Sequence, residues 1–345
     1  MLIVYTLDQA EQWDEVVQTF KEYDVYWLSG YVKAFYIHGD GEPLLFFYDD
    51  GSTRGINVVM KRDVAKSAEF TNIIPKGQFF DFATPYGYGG WLIEGEEKER
   101  LFEEYYRWID KNRIICEFIR FHPMVRNHKN CTSYYKVTQL GEVVHMDLLS
   151  PKYIWNNIIS KNRNMIRKAI KNGIKVFNGR FPGIYEKFRV IYDMTMDKDG
   201  AEDYYYFGKE FYQSLLEDLS QNAQVFWAEK DGIIVAASIM IFANGYMNYH
   251  LSGSLREYNS MAPSNLILYK AALWGNANGY RTLYLGGGVG SGEDSLFKFK
   301  RAFYKGELTH FYIGQRIYNN DIYEMLVKLH GNPKSSFFPL YRATD

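Results

Sequence analysis

The sequence predicts an α/β protein of two tandem domains, each a mixed, partly antiparallel sheet flanked by helices. Three observations predict this fold class. The chain has 345 residues, more than one hydrophobic core usually serves. Hydrophobic residues make up 47% and charged residues 23%, as in ordinary globular proteins. The order hairpin, helix, strand occurs once in each half of the chain, which indicates domains related by duplication.

The first half supplies the first copy of this order. Strand-like residues 44–48 and 56–61 flank an Asp-Asp-Gly turn at 49–51, and Asp-Gly between two β-rich runs predicts a hairpin. Apolar residues at helical spacing predict a helix over residues 96–112. The β-rich run at 114–121 then predicts the strand that follows the helix.

The second half repeats the order. Its predicted strands are residues 225–229, 233–242, 246–254 and 281–285. Between the last two, a helix is predicted to open at Pro263, because proline is favoured in the first turn, and to end at Gly279. The join between the domains is predicted near residues 143–148, a strand that leads through Ser150 and Pro151 into a helix.

Charge and cysteine content restrict the functional class. The formal net charge is −1, so any contact with nucleic acid or a membrane requires a local patch. Two cysteines, Cys116 and Cys131, indicate reduced thiols rather than a disulfide framework. The first residues lack the basic start of a signal peptide, and the longest apolar run, 233–243, is too short to span a bilayer. We therefore expect a cytoplasmic protein.

The stretch LYLGGGVGSGEDSLFKFKRAFY, residues 283–304, is rich in glycine. A P-loop requires Gly-Lys-Ser/Thr where this chain has Ser-Gly-Glu, and too few residues follow for a dinucleotide-binding domain. We expect the glycines to let a strand end bend while other backbone comes close. Asp294 or Ser295 would cap the next helix, with Leu296, Phe299 and Phe303 along one side. Beside that stripe lies a lysine, Lys300, that is either partly desolvated or a snorkelling surface residue.

A second segment, residues 161–176, is strongly basic. Arg163, Arg167 and Lys171 fall at i, i+4 and i+8 and are predicted to form one row. The predicted opposing apolar face consists of Ile158, Ile159, Met165, Ile166, Ala169 and Ile170. The row suits either a phosphate-rich partner or a solvated helix face.

Other signals leave alternatives open or exclude a class. The aromatic segment 195–212 is predicted either to wall an acceptor pocket or to cover a sheet. Seven histidines show no metal-ligand spacing, so we expect no metal site. No Gly-x-Ser-x-Gly elbow occurs, which argues against an α/β-hydrolase.

Several motifs in order resemble one family. They are TPYGYGGW, EFIRFHPMVRN, KNRNMIRKAIKNGIKV, TMDKDGAEDYYYF and the run from YHLSGS to SLFKFKRAF. Together they resemble the Fem family of cell-wall peptidyl transferases, within the GNAT acyltransferase class. The resemblance implies two GNAT-like domains, residues 1–146 completed by the tail 317–345, and residues 147–316. It also implies transfer of an amino acid from a tRNA to an amine of a peptidoglycan precursor.

The resemblance also implies roles for single residues. Lys300 matches the family's catalytic lysine and would stabilise an oxyanion, and Tyr249 matches a tyrosine near the reacting carbonyl. Lys33 and Lys198 match contacts to the precursor's nucleotide phosphates, although lysine lacks the bidentate fork of arginine. Phe299 belongs to the lysine's motif and is assigned to substrate binding.

The strand–loop–helix junction SLREYNSMAPSNL corresponds to the donor-phosphate loop of GNAT enzymes. Arg256 is present, but Asn259 and Met261 stand where the pattern has glycine or alanine. Ser264 and Asn265 would offer backbone N–H groups at the helix start. The row of Arg163, Arg167 and Lys171 is a further expected contact for tRNA or phosphate.

These signals lead to one expected function and two rivals. The first is transfer of an aminoacyl or acyl group from aminoacyl-tRNA or acyl-CoA to an amine of a cell-envelope precursor. No permanently bound cofactor is expected, and a substrate carboxylate or phosphate takes the amine proton, His250 and Asp197 being weaker candidates. The rivals are acyl-CoA-dependent acylation of an amino-sugar, and non-catalytic binding of a nucleotide-linked glycan or partner protein.

Overall fold

The computed structural model describes residues 1–343, which divide into two compact units. Unit 1 comprises Met1–Leu140 and the chain from Phe311 onward, and unit 2 comprises Gly141–His310. The sequence-based boundaries at 146/147 and 316/317 lie further along the chain, because both observed boundaries fall inside a strand rather than at its end. In residues 1–343, no helix combines the length and apolar character needed to cross a bilayer.

The strands are β1 Leu2–Tyr5, β2 Glu42–Asp49, β3 Arg54–Asp63, β4 Phe80–Ala83, β5 Leu92–Glu94, β6 Ile114–Phe121, β7 Lys136–Asp147, β8 Lys175–Gly179, β9 Ala223–Lys230, β10 Ile233–Ala243, β11 Tyr246–Ser254, β12 Thr282–Gly286 and β13 Thr309–Ile317. The helices are α1 Ala10–Gln18, α2 Ser29–His38, α3 Glu99–Lys111, α4 Pro151–Asn157, α5 Ser160–Lys171, α6 Pro182–Asp199, α7 Lys209–Asp218, α8 Pro263–Ala277, α9 Ser295–Arg301 and α10 Asn320–Leu329. The hairpin, helix and strand predicted in each half are confirmed, and β7 starts earlier than predicted.

Unit 1 is a mixed sheet in the order β1-β2-β3-β4-β6-β13, with β5 paired to β3. The pairing of β4 with β6 is parallel, and the others are antiparallel. The chain's last turn is bound to this unit through a buried aspartate, Asp81. Its Oδ2 accepts hydrogen bonds from Tyr341 Oη at 2.8 Å and Arg342 Nε at 2.6 Å, while Arg62 Nε donates to Oδ1 at 2.6 Å.

Unit 2 is a mixed sheet in the order β7-β12-β11-β10-β9-β8. Only β11 and β12 are parallel among these pairs in the described chain, and α8 makes the crossover between them. The core cluster on one side of the sheet contains residues of α4, α5, α8 and α9. Helix α6 packs against β9, β10 and β11, and α7 packs on α6. Phe207, Phe211 and Tyr212 are buried there, so this part of the aromatic segment covers the sheet.

Candidate active site

Lys300 lies on the buried side of α9. Asp294 caps this helix, since its Oδ1 accepts a hydrogen bond from the Phe297 backbone N–H at 2.8 Å. Phe297 and Phe303 enter the core of unit 2, and Lys300, three residues after Phe297, faces the same way. Only 9% of Lys300 is exposed. Its Nζ donates to the carbonyl oxygen of Gly287 at 2.7 Å.

The burial of Lys300 changes its acidity. Removal from water lowers the pKa of Lys300 to about 8, and the negative charge of Asp294 opposes that effect. An ordinary lysine titrates near ~10.4. At neutral pH the side chain is therefore an ammonium held in a mostly dry setting, where its charge acts on a neighbour more strongly than in water.

The predicted stripe of α9 needs correction. Leu296 was expected to form one apolar side with Phe299 and Phe303, but it is 38% exposed, and its neighbour Phe297 is buried. At about 100° per residue, Lys300 projects between Leu296 and Phe297, so the burial of Phe297 shows that α9 turns its Phe297 side to the core. The alternative of a snorkelling surface lysine is wrong for Lys300, since only 9% of the residue is exposed and its ammonium bonds to the carbonyl oxygen of Gly287.

The glycines before α9 admit close contacts that a side chain would block. Gly286 adopts φ +83°, and a Cβ there would lie 3.3 Å from Lys300 Nζ. At Gly288 a Cβ would lie 2.2 Å from the carbonyl oxygen of Gly292 and 2.4 Å from Asp294 Oδ1. The loop therefore folds tightly around a lysine and an aspartate, as expected of backbone that comes close to other groups.

The parallel strands β11 and β12 part at the level of this loop. Their last register pair is Asn248 with Tyr284, although β12 continues to Gly286 and β11 to Ser254. Opposite β10, Tyr249 pairs with Met240 and Leu251 with Ile239, so His250 is an extra residue in a β-bulge. A bulge bends its strand, which accounts for the separation of β11 from β12.

Tyr249 is the first residue of β11 beyond the last pair with β12. Its register partner Met240 belongs to the core that contains α8 and α9 residues, and Tyr249 packs against that core. Register partners point to the same side of a sheet. Tyr249 and Lys300 therefore lie on the same side of the sheet, at the end where β11 and β12 separate.

The Tyr249 hydroxyl belongs to a short chain of hydroxyl groups. It donates to Ser252 Oγ at 2.7 Å and also hydrogen-bonds with Ser238, a buried residue of β10. Burial raises the pKa of Tyr249, and the two serine hydrogen bonds lower it in part. The phenol is thus neutral at physiological pH and can donate a hydrogen bond or pass a proton.

The two weaker base candidates, His250 and Asp197, gain no support as proton acceptors. Burial lowers the pKa of His250 to about 3, so this imidazole does not take up a proton near neutral pH. Asp197 is exposed in the last turn of α6, where its Oδ1 accepts a hydrogen bond from Tyr206 Oη at 2.8 Å. Neither finding favours a protein base.

The loop before α8 offers backbone donors. Arg256 is exposed in a 3₁₀ turn, and Ala262 adopts φ +59° just before the helix. No side chain of the described residues caps the first turn of α8, so its N–H groups at Ser264 and Asn265 remain available to an anion. The side chain of Asn265 is used elsewhere, since its Nδ2 donates to Asn162 Oδ1 at 2.6 Å.

The basic row of α5 is only partly a row of surface cations. Arg163 Nη1 donates to the carbonyl oxygen of Ile158 at 3.1 Å, which closes the C-terminal end of α4. Arg167 is exposed and lies over the Trp155 ring at 5.1 Å, and Lys171 is exposed. The predicted apolar face also needs correction: Ile170 is 55% exposed, and Ile158 and Ile159 precede the helix.

The remaining predicted contacts are placed as follows. Phe299 is half-buried and packs edge-on against Phe303 at 5.5 Å. Lys33 is exposed on α2 of unit 1. Lys198 is exposed at the end of α6 of unit 2, where its Nζ lies 3.0 Å from Asp199 Oδ1. Their contacts with a nucleotide stay predictions.

Sequence reasoning missed the hydrogen bonds of Ser238 and Ser252 with Tyr249. It also missed the second hydrogen bond of Asp294, whose Oδ2 accepts from the Val289 backbone N–H at 3.1 Å. Ser252 follows Tyr249 by three residues in YHLSGS. This spacing predicts a contact between the two hydroxyl groups only if the β-bulge at His250 is already known. Ser238 lies in the preceding strand and meets Tyr249 only through sheet register.

Comparison with known proteins gives the class of this fold. Residues 160–301 match the family described as an acetyltransferase (GNAT) domain. No curated protein matches the chain significantly. The crystal structure of FemX is similar with a TM-score of 0.69 and 14% identity, covering 94% of this chain and 99% of that one.

Two further structures extend the comparison. L-PGS from Bacillus licheniformis has a TM-score of 0.58 and 15% identity, with 93% of this chain and 96% of that one covered. A tandem GNAT protein from the clavulanic acid biosynthesis pathway has a TM-score of 0.50 and 8% identity, with 92% and 98% covered. The predicted fold class is confirmed by these matches. Residues 160–301 of unit 2 therefore match an acetyltransferase (GNAT) domain, and the chain as a whole has a fold similar to that of FemX.

Proposed function

We propose that this protein transfers an aminoacyl group from aminoacyl-tRNA, or another acyl group, to an amine of a peptidoglycan or other cell-envelope precursor. The observation that carries the proposal is the buried ammonium of Lys300, held at Gly287 O where β11 and β12 part. A positive charge in a dry site stabilises the negative oxygen that forms when an amine attacks an ester carbonyl.

The reaction assigns a role to each group. The acceptor amine attacks the ester carbonyl carbon, and the oxyanion of the tetrahedral intermediate is stabilised by Lys300. The C–O bond to the donor then breaks, and the leaving oxygen takes a proton from Tyr249, whose hydroxyl is in contact with Ser252. The amine proton passes to a carboxylate or phosphate of the substrate, and the phenolate of Tyr249 is reprotonated from solvent.

A cavity in unit 2 suits the acceptor. Its volume is about 1070 Å³, and Phe297, Lys298 and Arg301 of α9 line it together with other charged side chains, among them Glu142, Glu307 and Lys305. Glu142 also adjoins the Lys300 loop, because its carbonyl oxygen lies 3.1 Å from where a Cβ of Gly287 would stand. Carboxylates next to cations suit a substrate that carries both an amine and anionic groups.

A polyanionic donor suits the basic part of unit 2. Residues 148–185 contain eight lysines and arginines and no aspartate or glutamate. Lys161, Arg167, Lys168 and Lys171 are exposed in α5. Cations concentrated on one helix in a chain of net charge −1 favour a nucleic-acid phosphate backbone, which here is that of a charged tRNA.

One observation favours a second candidate, acyl-CoA-dependent N-acylation. The free first turn of α8 is suited to a pyrophosphate. A thermal-shift screen with charged tRNA, CoA esters and UDP-linked precursors separates the two, because a ligand that binds the folded state raises the melting temperature by mass action. Stabilisation by CoA esters alone would favour the second candidate. Binding of precursor with no turnover of any donor would favour a non-catalytic role.

Transfer assays test the site itself. Lys300→Met keeps the length of the side chain and removes its charge, so we expect at least a ~10²-fold loss of kcat. Lys270→Met, at an exposed position of α8, is the matched control and should retain the activity. Equal rates for the two variants would reject the proposed catalytic role of Lys300.

A further inference from the structure

Asp294 joins two segments that meet at Lys300. Its Oδ1 accepts a hydrogen bond from the Phe297 backbone N–H at 2.8 Å, which starts α9. Its Oδ2 accepts one from the Val289 backbone N–H at 3.1 Å, which fixes the glycine loop. A single carboxylate therefore sets the position of the loop relative to the helix that carries Lys300.

Lys300 holds the same loop from another point. Its Nζ bonds to the carbonyl oxygen of Gly287, two residues before the Val289 N–H that Asp294 binds. Gly288 lies between them, and the absence of a side chain there allows Asp294 Oδ1 its close approach. Both charged side chains thus act on three consecutive residues, Gly287 to Val289.

We propose that Asp294 is a positioning residue of the transferase site: its carboxylate fixes the loop that holds Lys300, and its negative charge keeps Lys300 an ammonium. This inference rests on the proposed function for its catalytic meaning, whereas the link between Asp294 and Lys300 does not depend on it. In this arrangement Tyr249 protonates the leaving group, and Asp294 maintains the positive charge of Lys300 that stabilises the oxyanion.

Asp294 and Lys300 each shift the pKa of the other. The charge of Asp294 raises the pKa of Lys300 against the larger lowering by burial. The Phe297 and Val289 backbone hydrogen bonds lower the pKa of Asp294, and Lys300 lowers it further.

The pKa of Lys300 is shifted by burial and, in the opposite direction, by the charge of Asp294. The other ionisable groups on the neighbouring elements are Glu142 and His145 of β7, Tyr249 and His250 of β11, Glu293 of the loop, and Lys298 and Arg301 of α9 itself.

These groups are neutral, exposed or bound to other partners. Burial keeps Tyr249 and His250 neutral near physiological pH. Glu142, Glu293 and Lys298 are exposed, so solvent screens their charges. The remaining two have partners of their own: His145 Nε2 lies 3.6 Å from Asp147 Oδ1, and Arg301 donates to the carbonyl oxygens of Tyr304 and Gly306.

The test separates the charge of Asp294 from its capping role. Asparagine is about as good an N-cap as aspartate, so Asp294→Asn keeps the helix start and removes the charge. The pH dependence of Lys300 acetylation by acetic anhydride, followed by mass spectrometry of the Lys300 peptide, reports the titration of this amine without any turnover. We expect the midpoint to move to lower pH in Asp294→Asn and to stay in place in Glu293→Gln.

The outcomes decide the proposal. A midpoint in Asp294→Asn that coincides with that of the unchanged protein would overturn the charge link. Asp294→Ser, which also caps a helix and is neutral, is the second variant if the asparagine variant does not fold, and the same shift is expected. If the midpoint shifts but Lys300→Met transfers at the normal rate, the link between Asp294 and Lys300 stands and the proposed function fails.

A second readout tests the positioning role. In the transfer assay, the loss of activity in Asp294→Asn should grow as pH rises from one unit below to one unit above the Lys300 pKa of about 8. A loss that is the same at every pH would indicate a structural effect only and would contradict the proposal.

Discussion

Lys300 Nζ lies 2.7 Å from the carbonyl oxygen of Gly287, and this contact sets an ammonium at the end of β12. The backbone carbonyl orients the cation without neutralising its charge. A donor ester placed between β11 and β12 would meet that charge on the side of the sheet where Tyr249 lies. The following predictions depend on this arrangement.

The rate of transfer should fall at alkaline pH. Burial lowers the pKa of Lys300 to about 8, and the active form is the ammonium, so kcat/KM should decrease as pH rises through that value. The acceptor amine contributes the opposite limb, because it attacks only when deprotonated. The measurement is kcat/KM across pH with saturating donor. A rate that keeps rising well above this pKa would contradict the role of the ammonium.

Loss of the Tyr249 hydroxyl should slow transfer without unfolding the protein. Tyr249→Phe removes a donor in contact with Ser252 and Ser238, and we expect kcat to fall about 10²-fold. Tyr269→Phe is the control, since Tyr269 is half-buried on α8. Melting temperatures of both variants should stay near that of the unchanged protein. Equal kcat values for the two variants would remove Tyr249 from the mechanism.

Charge reversal on α5 should weaken tRNA binding. Arg167→Glu combined with Lys171→Glu should reduce the slope of log affinity against log salt by about 2, because each phosphate contact contributes about 1. Lys187→Glu combined with Lys209→Glu changes the net charge equally at exposed positions of α6 and α7. Fluorescence anisotropy with labelled tRNA measures both. Identical slopes for the two pairs would show that α5 is not the contact.

The effect of an added methyl group on transfer should depend on which glycine of the loop carries it. In Gly288→Ala the new Cβ would lie 2.2 Å from Gly292 O, so the loop must shift and transfer should fall at least ~10²-fold. In Gly292→Ala the nearest atom to the new Cβ is Val289 O at 3.6 Å, an ordinary contact, and activity should be retained. The transfer assay compares the pair, and equal activity would mean that the loop does not position Lys300.

Asp81 should be essential for the stability of unit 1. Burial raises the pKa of Asp81, but Arg62 and Arg342 lower it more, so the net pKa lies below the usual value. Asp81→Asn leaves both arginines without their buried counter-charge and should cost about 3–5 kcal/mol. Urea unfolding of that variant and of Asp110→Asn, an exposed control, gives the difference. A loss of under about 1 kcal/mol would contradict this account.

The same group gives stability a definite pH dependence. Because the folded-state pKa of Asp81 is lowered, its contribution is fully present above the unfolded value of about 3.9 and is lost as pH falls through the folded value. The difference in free energy of unfolding between the unchanged protein and Asp81→Asn should therefore be largest above about pH 4 and should shrink as pH falls further. A difference that stays constant over this range would show that ionised Asp81 is not its source.

Much of the fold was readable because its signals are local. The Asp-Gly turn between β2 and β3 and the helix that starts at Pro263 each depend on a few neighbouring residues. The bulge at His250 was not readable, since its residues are ordinary strand formers and the extra residue exists only relative to β10. Arg163 looked like a surface cation because its contact with Ile158 O requires the break between α4 and α5.

The candidate site shows the same division. The resemblance indicated Lys300 and Tyr249, and the structure gives the burial and partners of each. The rotation of α9 was predicted wrongly at Leu296, because a helix of seven residues has too few apolar positions to fix its phase. The hydroxyl of Ser238 is brought to Tyr249 by sheet register alone.

The bond between Asp81 and the chain's last turn has a consequence for synthesis. Unit 2 is one continuous stretch and can fold while it emerges from the ribosome, whereas unit 1 lacks β13, Tyr341 and Arg342 until all of unit 2 has been made. Residues 1–140 therefore remain an incomplete domain while the whole of unit 2 is synthesised. A chain that stops before Tyr341 would contain a complete unit 2 attached to a unit 1 in which Asp81 lacks its hydrogen bonds from Tyr341 and Arg342.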